Sequence, residues 1–191
     1  MVPADEGAFG DAVALIRSNA KVVIKAGGGT RAHAKALRRF ALKIGVPVVL
    51  SPGSSGVMMD AHVQNMHVGG SKGSISGNYA MQNAEVAIFI GSRGVCQADC
   101  SGVGYPNAKS VLNINGDYED LAHYANTSVL PGDITAVLDQ LVAALGEDTG
   151  IETRQDWIGS CAAKKDEWTK FKKERVNSAP LYDEVWQQPV L

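Results

Sequence analysis

The stretch Lys21-Val22-Val23-Ile24-Lys25-Ala26-Gly27-Gly28-Gly29-Thr30-Arg31-Ala32 decides the fold: a β-branched run ends on three consecutive glycines and gives way to a helical pattern. Near-continuous apolar residues suit a strand covered on both faces, and Lys21 to Lys25 is read as that strand. Gly27, Gly29 and Ala32 satisfy G-x-G-x-x-A after a strand and before a helix, the order that opens a doubly wound parallel sheet. Backbone amides at such a turn, with the start of the following helix, are able to hold a phosphate. A tight glycine turn that only packs gives the same letters, so both readings stand.

Outward from this unit the alternation continues, as expected for parallel strands joined by crossover helices. Before it, Phe9, Val13 and Ile16 recur at helical spacing. After it, a helix is expected from about Arg31 to Ile44, with Leu37, Ala41 and Ile44 on one face and Gly45 as its stop. Further strands are read at Pro47 to Leu50, Glu85 to Ile90, Lys109 to Ile114 and Thr127 to Leu130. Short helices fall around Asn78 to Asn83 and from Asp133, as N-cap, to Leu145. Ser51 to Gly56 is turn chemistry, and no element is assigned from there to Gly70. The fold class is therefore a three-layer α/β/α Rossmann-like domain with a parallel sheet of five or six strands, over residues 1–146. Residues 147–191 form a linker, a helix and an extended tail. In that helix Trp157, Cys161, Trp168 and Phe171 make one stripe that needs something to pack on.

Composition bounds the rest. The 191 residues are 45% hydrophobic and 20% charged, so the disorder signature is missing. Eighteen basic and twenty acidic side chains give a net charge of −2, which offers no electrostatic footprint for nucleic acid. No run approaches a membrane span and the acidic start is unlike a signal peptide, so a cytoplasmic protein is expected. Cys96, Cys100 and Cys161 lack both a disulfide framework and paired metal spacing, and neither H-E-x-x-H nor G-x-S-x-G occurs. No metal ligands or catalytic residues are assigned.

The candidate binding residues cluster at expected turns. Gly27, Gly28, Gly29 and Thr30 form the first. Gly70, Ser71, Lys72, Gly73 and Ser74 form a second glycine-rich stretch before a helix. Ser92 and Arg93 follow the Glu85 to Ile90 strand, and Asn115 follows the Lys109 to Ile114 strand, where open parallel sheets receive ligands. An NAD-type unit would want an acid near the end of the second strand to hold a ribose, and Leu50-Ser51-Pro52 stands there. That absence argues against an ordinary NAD-dependent dehydrogenase.

In this order the motifs resemble the central domain of thiamine-diphosphate-dependent enzymes, the group that includes acetohydroxyacid synthase and the trihydroxycyclohexanedione hydrolase of inositol breakdown. The resemblance covers about Val2 to Leu145. It rests on Val2-Pro3-Ala4-Asp5, Ile24 to Gly29, Ile44 to Val49, Asn78-Tyr79-Ala80 before Asn83 to Val86, Ile90 to Arg93, Leu112 to Asn115, and Gly132-Asp133. Val68 to Ser74 and the Trp-containing helix look more similar to the hydrolase branch.

The resemblance implies a six-stranded sheet lying between a pyrimidine-binding and a diphosphate-binding domain, in a homo-oligomer. It also implies that thiamine diphosphate and magnesium belong to the parent enzyme and not to this chain, because the family's G-D-G stretch does not occur here. The Pro189-Val190-Leu191 ending is read as a cut before a third domain. Some relatives hold FAD or ADP through counterparts of the candidate residues, with an acid where Asn115 stands. The expectation is therefore an excised structural domain, not catalytic alone; the alternative is a free-standing FAD-, ADP- or NAD-binding module.

Overall fold

A computed structural model describes residues 6–94, 104–121 and 126–178. Its six strands are β1 (Val22–Ala26), β2 (Val48–Leu50), β3 (Asn65–Val68), β4 (Val86–Ile90), β5 (Ser110–Asn115) and β6 (Thr127–Pro131). They form one sheet in the order β3-β2-β1-β4-β5-β6, with every pairing parallel. Ile24 lies level with Val48 on one side and Ile88 on the other, so the chain reverses its direction of travel across the sheet between β1 and β4. Open α/β sheets receive ligands beyond the strand ends at such a point.

Alternation along β1 divides the core in two. Val22, Ile24 and Ala26 face a large apolar cluster with α1 (Glu6–Ser18), α2 (Ala34–Ile44) and α4 (Ile134–Leu145), built from Phe9, Ile16, Leu37, Phe40, Leu138 and Leu141 among others. Val23 faces a smaller cluster with α3 (Ile75–Asn83) and α5 (Gln155–Val176), where Met66, Met81, Phe89, Tyr105, Trp157 and Cys161 meet. The expected caps form: the Asp133 carboxylate accepts from the Ala136 amide at 2.9 Å, and Gly45 ends α2 in the left-handed region.

Sequence periodicity missed β3. Only Asn65 and Met66 of its four residues are buried, and the register with β2 slips between Val48 and Leu50. His67 sits in that slip at φ 62°, a conformation uncommon outside glycine, and its amide donates to the Asn65 side chain instead of following a regular ladder. The helix expected from Arg31 begins with a 3-10 turn at Gly28–His33, and α2 follows it.

The stripe on α5 packs only in its first half. Trp157 and Cys161 are buried, and the Trp157 indole donates to the Val22 carbonyl at 2.9 Å. Burial pushes the Cys161 thiol up to about 12, which keeps it protonated and unreactive. Trp168 is half-buried, Phe171 is exposed, and the two rings stack at 5.5 Å.

The amino end of the sheet is closed by one buried cation. Arg154 is fully buried, and its guanidinium donates to the carbonyls of Ile16, Asn19, Ile44 and Thr149. Ile16 and Asn19 lie at the end of α1, and Ile44 is the last residue of α2. A cation there satisfies orphan carbonyls and meets the negative ends of two helix dipoles. Arg17 does the same for α4, reaching the Leu145 carbonyl at 2.8 Å. Ile151 lies over Gly45, where a Cβ would fall 2.3 Å from its side chain, so the segment after α4 is seated on the end of α2.

Candidate functional site

The predicted residues gather at the carboxyl end of the sheet, on turns that follow β1, β3, β4 and β5. The amides of the first turn are engaged inside the domain. Gly27 donates to the Ile90 carbonyl at 2.9 Å and Gly29 to the Gly91 carbonyl at 3.0 Å. Thr30, which is buried, donates its amide at 3.0 Å and its hydroxyl at 2.6 Å to the Gly27 carbonyl. Gly28 is exposed, and its amide has no such partner among the described residues.

Close packing explains these glycines. A Cβ on Gly27 would fall 2.1 Å from the Gly91 carbonyl oxygen and 2.5 Å from Ser92 Cα, while one on Gly29 would fall 3.0 Å from Gly91 Cα. The turns after β1 and β4 thus touch backbone to backbone at the point where a crevice is usual. On its other side Gly28 faces Gly53 of the turn after β2.

The second glycine stretch closes on itself in the same way. The Gly70 amide donates to the Asn78 side-chain oxygen at 2.8 Å, the Gly73 amide to the Gly70 carbonyl at 2.9 Å, and the Ser74 amide to the Val68 carbonyl at 2.7 Å. Ser74 caps α3: its Oγ accepts from the Gly77 amide at 2.9 Å and donates to the Met66 carbonyl at 2.8 Å. A Cβ on Gly73 would meet Gly69 and Gly70 backbone at 2.7 Å. Ser71 and Lys72 are exposed at the tip.

After β4, Ser92 is buried and its Oγ accepts from the Gly94 amide at 3.2 Å, while Arg93 is exposed. Asn115 is 8% exposed; its Oδ1 accepts from the Asp117 amide at 3.2 Å, so the group it has left to offer is the donating side-chain nitrogen. A ribose hydroxyl that must donate finds no carboxylate on Asn115, and the exposed acid nearby, Asp117, takes the Glu119 amide on its own Oδ1 at 3.1 Å. Among the described residues, the uncommitted polar groups here include the Gly28 amide, the Asn115 side-chain nitrogen and the exposed cations Arg31, Lys72 and Arg93. A link the sequence did not reveal ties the turn to α4: His33 Nδ1 lies 2.8 Å from Thr135 Oγ1.

Among the described residues no three His, Cys, Asp or Glu side chains come together as a metal site. Cys96, Cys100 and the rest of residues 95–103 lie outside the described residues, as do His123 and residues 179–191, for which an extended tail was expected.

A doubly wound parallel sheet with helices on both faces and glycine turns meeting at its switch point defines a Rossmann-like α/β domain. The family model described as "Thiamine pyrophosphate enzyme, central domain" matches residues 9–141, and the chain belongs to that family. It is 30% identical over 161 residues to the acetolactate synthase large subunit of Buchnera aphidicola, covering 82% of this chain and 26% of that protein. It is 28% identical over 144 residues to the acetolactate synthase isozyme 1 large subunit of Escherichia coli, covering 72% and 25%. It is 30% identical over 139 residues to the 3D-(3,5/4)-trihydroxycyclohexane-1,2-dione hydrolase of Geobacillus thermodenitrificans, covering 72% and 21%. The chain spans about a quarter or less of the length of these relatives. The sequence resemblance is thus met in both of its branches.

Proposed function

We propose that the chain is the central structural domain of a thiamine-diphosphate-dependent enzyme acting on a carbon–carbon bond next to a carbonyl, of the inositol-pathway dione hydrolase type. In this reading residues 1–146 are the domain, and residues 147–191 lead by linker, helix and tail toward a diphosphate-binding domain. Thiamine diphosphate and magnesium are held by other parts of the parent protein, a cytoplasmic homo-oligomer, and this chain has no turnover alone. No described helix is long and apolar enough to cross a membrane.

One observation carries the scaffold reading: the glycine turns direct their amides at Ile90, Gly91, Gly70 and Val68 carbonyls and the Asn78 side chain, leaving little to cradle a pyrophosphate. The alternative, an FAD-, ADP- or NAD-binding module using Gly27 to Thr30, Gly70 to Ser74, Ser92, Arg93 and Asn115, is supported by the exposed Arg31, Lys72 and Arg93, which suit phosphate.

Titration of the purified chain with FAD, ADP and NAD, followed by melting temperature, separates the two. The scaffold reading expects no shift with any of them. A nucleotide at 100 times its dissociation constant adds about 2.7 kcal/mol, and such a shift would install the binding module in its place. Turnover of a 2-oxo acid or a cyclic dione by the chain with added thiamine diphosphate and magnesium would overturn both.

A further inference from the structure

The tip of β5 runs into the pair Asn115-Gly116, and no other asparagine of the chain is followed by glycine. When a backbone nitrogen attacks the amide carbon of the asparagine before it, a five-membered ring closes. Glycine at the second position removes the side chain that would crowd that attack. The fold arranges all three partners of the reaction.

The nucleophile is not tied up in the sheet. The Ile114 carbonyl accepts the Gly91 amide at 2.9 Å, and the next acceptor on that side, the Gly91 carbonyl, takes the Gly29 amide at 3.0 Å. Among the described residues the Gly116 amide therefore has no acceptor. Asn115 itself is nearly covered, but Gly116 to Glu119 beside it are exposed to water and base. The electrophile is held and polarised: Asn115 Oδ1 accepts from the Asp117 amide at 3.2 Å, a ring that folds the side chain back toward the Gly116 nitrogen and draws electrons from Cγ. The leaving group, the Asn115 side-chain nitrogen, donates to no described residue. Elsewhere the same chemistry is blocked. Asn107 and Asn177 are exposed too, but Ala108 and Ser178 follow them, and the amides of those residues donate to the Tyr105 carbonyl at 3.1 Å and the Arg175 carbonyl at 3.3 Å.

We infer that Asn115-Gly116 is a self-modification site, at which the chain slowly exchanges an amide for a carboxylate at the carboxyl end of its sheet. The Gly116 nitrogen gives its proton to hydroxide and bonds to Asn115 Cγ; the bond from Cγ to Nδ2 breaks and ammonia leaves, so a succinimide joins the two residues. Water then adds to either ring carbonyl and reopens the ring, to aspartate by one path and to isoaspartate by the other. Water is the sole co-reactant, and no electrons change hands. Either product adds one negative charge to a net charge of −2. An end that offers donors, among them the Gly28 amide, the Asn115 nitrogen and the cations Arg31, Lys72 and Arg93, thereby gains an acceptor. The aspartate product keeps the bond from the Asp117 amide, now made to a charged oxygen. The isoaspartate product inserts a methylene into the main chain where the Gly132 amide meets the Asn115 carbonyl at 3.1 Å, and so loosens the last rung between β5 and β6. This chemistry is independent of whether the domain holds a nucleotide.

The test incubates the full chain at about 37 °C and about pH 6, 7 and 8, and follows each asparagine by peptide mass spectrometry, with isoaspartyl methyltransferase labelling the isoaspartate. Conversion at Asn115 is expected to outrun that at Asn107 and Asn177 about tenfold or more, and to rise about fivefold or more per pH unit because the attacking nitrogen must lose its proton. Gly116→Ala places its Cβ 3.4 Å from the Gly132 carbonyl oxygen, an ordinary contact, so it should fold and slow the conversion about tenfold. Asn115→Asp should co-elute with the aspartate fraction of the aged chain on ion exchange. A sample unfolded in urea sets the clock: a folded chain still intact at Asn115 after about thirty half-lives of the unfolded one would overturn the site. So would faster conversion at Asn107 or Asn177, a rate indifferent to pH, or an equal rate in Gly116→Ala. Should Gly116→Ala fail to fold, the ranking of the three asparagines in the natural chain still decides.

Discussion

The two ends of the sheet treat polar groups in opposite ways. At the amino end a fully buried guanidinium, Arg154, takes four carbonyls from three segments, and Arg17 takes the last carbonyl of α4. At the carboxyl end the cations Arg31, Lys72 and Arg93 are exposed, and the backbone satisfies itself through glycines that lie against one another. The amino end is bonded through a long buried side chain, and the carboxyl end through backbone brought close by glycines with short side chains such as Ser74 and Asn78 helping. The difference teaches that a glycine-rich turn at a switch point is not by itself a ligand site; what matters is where its amides point.

Five variants sharpen or break this contrast. The largest effect is expected for Arg154→Ala, which leaves buried helix-end carbonyls without a donor and opens a cavity; urea denaturation should show a loss of about 3–5 kcal/mol. Arg154→Lys, with one ammonium for a five-donor fork, should recover only part of it. If Arg154→Ala melts like the natural chain, the amino end is not the keystone described here.

Next comes Gly27→Ala, whose Cβ meets the Gly91 carbonyl oxygen at 2.1 Å and the Ser92 backbone at 2.5 Å. Neither obstacle is a flexible side chain, so about 2–3 kcal/mol of destabilisation is expected in the same measurement. A tolerated alanine would mean that the turns after β1 and β4 stand apart, reopening the crevice. Trp157→Phe keeps most of the ring and removes its hydrogen bond to Val22, a loss of about 1–2 kcal/mol, read together with weaker protection of α5 in hydrogen exchange. The smallest effect is expected for the double change Lys72→Ala and Arg93→Ala, within about 0.5 kcal/mol of the natural stability, because both side chains are exposed. A clear change in nucleotide response in that variant would turn the carboxyl end back into a binding site.

The sequence made the strand-glycine-helix unit legible because the β-branched run from Val22, the helical spacing of Leu37, Ala41 and Ile44, and Gly45 all point the same way. Five of the six strands were readable for the same reason. The sixth was not, since β3 is a short edge strand with a slipped register and a half-buried histidine, and neither period survives in it. The glycine turns were found, but amide direction depends on which strand lies alongside, and that is a tertiary fact. No pattern in the sequence singles out Arg154. Its burial follows from the ends of α1 and α2 meeting beside Thr149, which no local pattern encodes. Trp157 and Trp168 share one stripe, yet only the first reaches the sheet, because α5 extends past the surface it packs on.

The docking of Arg154 carries a practical lesson for anyone trimming this polypeptide. The family match stops at residue 141 and the linker begins near Gly146, so either position looks like a natural place to shorten the gene. A product ending there would carry neither the guanidinium that joins the ends of α1 and α2 nor the indole that plugs the base of β1. A piece that keeps both contacts must run some twenty residues past the end of the family match, to the first turns of α5, and a shorter version should behave as a loosely packed, dye-binding globule.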